Sequence, residues 1–423
     1  MSRCSRPVGL LSVVWGAAVA LLVACNSTRE TVSDVNGSST APLTPTVSAE
    51  PIAPPEELSG RGLLDKYECN RCHEGTYQAA LPTPKHCVRC HDEIADGKFA
   101  APREALRSWR PHVTHLRYAP SLQGVGTLVS REWATKYVLK PTDLRPHLAA
   151  WMPRLAISET EARAIVDYLA SKNASLANSF DARLPHGEVA EGRRLFQQKA
   201  CNGCHHFTGA GVGESALGSV EVAREIALAP DLRNTRARAV RENLVAYLLD
   251  PQKVKPGAAM PTIQLSEQEA NHLASFILEV PLLAEPAQPA FQRLPLLERP
   301  IGYEEVARRV LHKTCWHCHS QPDYARGDGG PGNTGGFGFG PRKLDLASYE
   351  SVSSGLLDQN GERRSVFSAT ASGTPLLVEV MLARHEETRG SVANVRGMPL
   401  GLPPLSAEEI QLVESWVAQG HPR

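Results

Sequence analysis

Residues 192–205 read Gly-Arg-Arg-Leu-Phe-Gln-Gln-Lys-Ala-Cys-Asn-Gly-Cys-His, and this stretch decides the fold. Gly192 and Phe196 stand four residues apart, the spacing that places two side chains on one face of a helix. Cys201 and Cys204 follow one helical turn apart, with His205 adjoining the second thiol. Two thiols and an imidazole in this pattern attach a c-type haem: each thiol bonds one vinyl group, and the His reaches the iron as proximal ligand.

Outward from this stretch the motif recurs. Cys69, Cys72 and His73 read CNRCH; Cys87, Cys90 and His91 read CVRCH; Cys315, Cys318 and His319 read CWHCH. Four copies use eight of the ten cysteines, so the expected cofactor is four haem c. A disulfide framework would not need His at the fifth position every time. A zinc ribbon would pair two Cys-x-x-Cys units, whereas the third and fourth copies are far apart and solitary.

The flanking sequence repeats too. Gly60 and Leu64 precede Cys69 by the offsets at which Gly192 and Phe196 precede Cys201; Val306 and Val310 hold these places before Cys315. Ala119-Pro120-Ser121-Leu122 matches Ala229-Pro230-Asp231-Leu232, and Tyr137 to Pro141 matches Tyr247 to Pro251. Three Met-Pro pairs follow, at Met152, Met260 and Met398. Each leads to a capping box, Ser158-x-x-Glu161, Ser266-x-x-Glu269 and Ser406-x-x-Glu409, with Tyr168, Phe276 or Trp416 ten residues past the Ser. Cap, Met-Pro and aromatic at shared offsets make a module, used three times.

Each unit resembles a class I cytochrome c domain: a helix into the haem motif, a loop, a Met ligand and a terminal helix. The resemblance implies a mainly α fold of three tandem domains, a dihaem unit at 59–175 and monohaem units at 185–284 and 298–423. It implies that first and last helices cross through a small residue and an aromatic, which Gly60 with Tyr168 and Gly192 with Phe276 fit better than Val306 with Trp416. It also makes Met152, Met260 and Met398 the sixth ligands of the Cys69, Cys201 and Cys315 haems, with Met381 and His385 as rivals of Met398. Pro120 and Pro230 resemble the family proline whose carbonyl holds the proximal His; Pro341 is the guess for the third unit. The Cys87 motif departs from the single-haem pattern, and its iron needs another ligand. His115 is favoured, then His112, with His86 and His147 as further rivals.

The other two cysteines are N-terminal. Arg3 and Arg6 precede an apolar run from Val8 to Ala24, as in a secretory leader. Leu22-Val23-Ala24-Cys25 resembles a bacterial lipobox, so residues 1–24 read as a signal peptide and Cys25 as the lipidated residue. Asn26, not Asp, follows; by the sorting rule of well-studied Gram-negative bacteria this resembles an outer-membrane rather than an inner-membrane destination. Residues 25–58 are rich in Ser, Thr and Pro and have too little apolar surface to offset their ordering entropy. They read as a disordered tether spanning roughly 30 Å.

Lys plus Arg and Asp plus Glu number 45 each, so no basic excess points to a nucleic-acid partner. Residues 327–340 are glycine-rich but lack the strand and the Lys-Ser/Thr of a phosphate cradle, and read as flexible chain. No catalytic acid or nucleophile stands out. The expectation is a tetrahaem electron carrier, lipid-anchored at the periplasmic face of a bacterial envelope, with redox proteins as donor and acceptor. The rivals are a multihaem oxidoreductase or peroxidase with one open iron, and a cytochrome subunit of a membrane respiratory complex.

Overall fold

Three capping boxes start three terminal helices, and these organise the molecule. The Ser158, Ser266 and Ser406 hydroxyls accept from the N–H of Glu161, Glu269 and Glu409, and each carboxylate returns a bond to the serine N–H. The helices so begun are Glu159–Ser171, Glu267–Glu279 and Ala407–Ala418. This is a computed structural model that describes residues 59–172, 186–213, 223–285, 287–320, 342–358, 360–391 and 393–423. The leader, Cys25, the tether, the glycine-rich run and Pro341 lie outside the described residues.

The described chain is mainly helical. Its strands are a two-residue antiparallel ribbon, Leu356–Leu357 against Arg363–Arg364. Among the described residues no helix is long and apolar enough to cross a membrane.

Each terminal helix crosses the helix that leads into a Cys-x-x-Cys-His motif. At Gly60 a Cβ would lie 2.2 Å from the Ala164 carbonyl oxygen, and at Gly192 2.0 Å from that of His272. Only glycine permits that approach, and Tyr168 and Phe276 pack beside it. The third crossing uses bulk instead: Val306 and Trp416, both fully buried, share one apolar core.

The lead-in helices end in two ways. Gly60–Lys66 and Val189–Gln198 stop short of the motif, and left-handed Glu68 (φ 49°) and Ala200 (φ 56°) turn the chain into a 3₁₀ turn that starts at the first cysteine. The third does not break. Tyr303–Val306 passes into π-helical turns over Ala307–Cys315, which carry the widened helix to the cysteine itself.

Each repeat has its own apolar core, around Leu64 and Ile165, around Phe196 and Phe276, and around Val310 and Trp416. A fourth, smaller core of Cys90, Ile94, Phe99, Trp109 and Val113 belongs to the insertion that carries the Cys87 motif. There the helices Cys87–Asp96 and Arg103–Trp109 both contribute to that core, and Arg117, further along the chain, pairs with Asp92 and Asp96 of the first at 2.8 Å each.

The first repeat touches both others. The Ser130 N–H donates to the Arg238 carbonyl (2.7 Å) and the Asp231 N–H to that of Leu144 (2.8 Å). On the other side the Trp151 N–H donates to the Gly401 carbonyl (2.7 Å), bringing the Met152 and Met398 loops together.

Candidate cofactor sites

Three of the four motifs share one turn. The N–H of His73, His205 and His319 each donates to the carbonyl of its own first cysteine at 3.0 Å, bringing thiols and imidazole to one side. The Cys87 motif opens an α-helix whose N-terminus is capped by His86, whose Nδ1 accepts from the Arg89 N–H (3.1 Å).

Proximal imidazoles need one nitrogen fixed and the other left for a metal. His73 Nδ1 lies 2.8 Å from the Pro120 carbonyl, and His205 Nδ1 2.8 Å from that of Pro230. A carbonyl only accepts, so Nδ1 carries the proton in both rings and Nε2 keeps its lone pair. These are the two prolines singled out in the sequence.

The third repeat keeps only the surrounding backbone pattern. The N–H groups of Leu122, Leu232 and Leu346 donate to the carbonyls of Glu74, His206 and His319, at 2.8, 2.9 and 2.6 Å. One residue before each leucine, a side-chain oxygen of Ser121, Asp231 or Asp345 accepts the N–H two residues on. Leu344 is thus the nearest counterpart of Pro120 and Pro230, offset by one residue because Leu346 bonds His319 itself, and the His319 Nδ1 has no hydrogen-bond partner among the described residues. Leu344-Asp345-Leu346 repeats Pro230-Asp231-Leu232 in all but the proline; that likeness was present in the sequence and was obscured by looking for proline.

Burial lowers the pKa of all four motif histidines, His91 to about 3 and His319 to about 4, so each is neutral near pH 7 and able to bind a metal. The eight described cysteines are free thiols. Burial pushes Cys69 and Cys201 up to about 11 and Cys90 and Cys315 to about 12. A redox dithiol needs a thiolate and an electropositive setting; these four thiols sit protonated in apolar surroundings, whereas the Cys72 neighbour and Arg71 lower Cys87. They fit a flat, apolar group fixed by thioethers.

A cavity of about 660 Å³ has the shape of the problem. His73, His91 and His319 all line it, as do Met152 and Met398. Met381 also borders it but is 2% exposed within the third core, and His385 bonds the Leu405 carbonyl at 2.8 Å while stacking on Phe291. Met260 packs at the edge of the second core, alongside Cys201.

At His91 the structure brings two imidazoles. The His115 ring lies 5.9 Å away, edge-on, and the His317 ring 6.3 Å away. Two imidazoles trans on one metal have centroids roughly 6 Å apart, given metal–nitrogen bonds of about 2.0 Å. His112 lines the same cavity, whereas His147 sits beside His206 at 4.4 Å. His86 is buried with Nε2 unpartnered and Nδ1 used as a cap. His317 was overlooked in the sequence because it is a spacer residue of CWHCH, and only folding places it against another unit.

Three of the four motifs are also tied to a terminal helix by a lysine that stands two or three residues before the first cysteine. Lys66 meets Glu161 at 2.6 Å, Lys199 meets Glu269 at 3.4 Å, and Lys313 meets Glu409 at 2.6 Å. The capping carboxylate thus serves both helix and motif.

Residues 189–281 match the family model described as Cytochrome c. The Cbb3-type cytochrome c oxidase subunit CcoP of Helicobacter pylori (strain ATCC 700392 / 26695) is 25% identical over 132 residues, 31% of this chain and 38% of that protein. Its counterpart from strain 52 gives the same identity over 37% of its length, so the chain spans under two fifths of these relatives. Cytochrome c oxidase subunit 2 of Alkalihalophilus pseudofirmus is 32% identical over 88 residues, 21% of this chain and 24% of that protein. No solved structure gives a significant match.

Proposed function

We propose, for a chain that belongs to the cytochrome c family through residues 189–281, that all four motifs hold haem c and that the protein carries electrons without transforming a substrate. The observation that supports this most is the repeated proximal arrangement, with His73 and His205 each held through Nδ1 by a backbone carbonyl at 2.8 Å. Bound haem supplies an iron that cycles between ferrous and ferric states; the chain supplies attachment, axial ligands and an apolar surround.

Repeats at 59–175, 185–284 and 298–423 serve as the three cytochrome c-like units. Met152, Met260 and Met398 are the proposed sixth ligands of the Cys69, Cys201 and Cys315 haems. The burial of Met381 in the third core and the bond from His385 to Leu405 favour Met398. For the Cys87 haem, His115 is the proposed ligand, being the nearer of the two rings beside His91 and part of the same insertion. With every sixth position filled, no iron is open to a substrate.

Cys25 is the proposed lipid attachment point, with residues 25–58 as tether and the haem units at the periplasmic side of a bacterial envelope, at the outer membrane. The support is the N-terminal sequence alone. A second reading, as a cytochrome subunit of a membrane respiratory complex, draws on the oxidase subunits among the relatives.

Intact mass tests the haem count: the mature chain should exceed its lipidated polypeptide by four haem masses. A gain of three or fewer would empty at least one motif and break the reading.

A further inference from the structure

We propose that the attachment sites of the Cys69, Cys87 and Cys315 haems form one electron-sharing cluster, with the Cys201 site standing outside it as a separate terminal. This rests on the reading that all four motifs are loaded. Sequence order alone suggests a string, passing through the Cys201 site on the way to the Cys315 site. The fold arranges them otherwise.

The carrying observation is the cavity. His73, His91 and His319 come from three motifs, two of them more than two hundred residues apart in sequence, yet all three line one continuous space. Met152 and Met398 line it as well, from loops joined by the Trp151–Gly401 hydrogen bond. Cys201, Cys204, His205 and Met260 are not among its walls; among the described residues the second repeat lends it only Arg238 and Lys255.

Closer contacts agree. The His317 ring, on the third repeat's motif, reaches to 6.3 Å from His91 of the first. Cys72, Cys87 and Cys318, one thiol from each of the three motifs, border that same space. In the loaded protein those sulfurs are thioethers, each covalently part of one haem's edge.

Two consequences follow from proximity in a low-dielectric space. Electron exchange among the three sites transfers one electron from a ferrous to a neighbouring ferric iron, with no bond made or broken and no other reactant. Charge on one site also opposes reduction of the next, since repulsion is screened far less there than in water. The cluster acts as a shared store of electrons, filled or emptied through its neighbours.

The test uses the full-length protein, its haem count checked by mass. Low-temperature EPR of the oxidised protein should show three mutually broadened low-spin signals and one sharp signal. Met260→His should shift the sharp signal alone, which assigns it to the Cys201 haem. Stepwise reduction should sharpen the remaining cluster signals and leave the Cys201 signal unchanged in width. Four haems with four sharp lines, or broadening that pairs the Cys201 haem with the Cys315 haem, would overturn the cluster while leaving the carrier reading intact. A mass short of four haems would instead overturn the tetrahaem reading, and the cluster with it.

Discussion

Two imidazoles, of His115 and His317, stand beside His91, and on the proposed reading their removal has different consequences. With His115 on the iron, His115→Ala should turn one haem per chain from low to high spin, while His112→Ala should leave every haem low spin. Magnetic circular dichroism reads both. If His317→Ala instead gives the high-spin haem, the ligand comes from the third repeat. The methionines give a second prediction. Replacing Met152, Met260 or Met398 by Ala should each remove about a third of the thioether-to-iron band and lower one haem's potential, because a thioether favours ferrous iron. Met381→Leu, a change inside the third core, should leave the band whole. The four Cys-x-x-Cys-His motifs could be read directly from the sequence, since the motif is local. For the Cys87 motif the sequence offered only a short set of histidines, because the ring that meets His91 is chosen by folding and not by spacing.

Among the helices, the crossings are the sensitive points. Gly192→Ala would set a methyl group 2.0 Å from the His272 carbonyl oxygen, and Gly60→Ala one 2.2 Å from that of Ala164. Either helix must move, so each change should cost roughly 1–3 kcal/mol by overpacking. Gly213→Ala, with nothing within 4 Å, should be silent in the same thermal unfolding experiment. The capping carboxylates carry the pH dependence. Burial pushes the Glu161 carboxyl up, but bonds from Lys66, Ser158 and Tyr67 outweigh it and hold the group at about 2. A carboxylate depressed on folding contributes stability above its unfolded pKa of about 4.3, and loses that contribution as pH falls towards 2. Glu161→Gln should therefore cost about 1 kcal/mol at neutral pH, less of it in high salt, and nearly nothing at pH 2. Capping boxes, crossings and Met-Pro loops could be read from periodicity and offsets. The π-helical entry to Cys315 and the left-handed Glu68 and Ala200 could not, because neither residue type advertises those backbone angles.

Across the whole molecule, the first repeat is the hub, bonded to the second through Ser130 and Leu144 and to the third through Trp151. That arrangement was invisible in a sequence that lists the units one after another; contacts between repeats depend on surfaces with no local signature. The N-terminus adds a prediction at this scale. Cys25→Ser should abolish acylation and leave uncleaved precursor or soluble protein, and a labelled fatty acid still present on the variant would exclude Cys25 as its site. The central claim is that this is a carrier with every iron six-coordinate, and the spin state of the oxidised protein tests it most directly. Quantitative EPR should integrate to four low-spin ferric haems per chain, with carbon monoxide binding slowly or not at all to the reduced protein. A high-spin ferric signal near one haem per chain, together with fast carbon monoxide binding, would contradict it and reveal an open, catalytic iron.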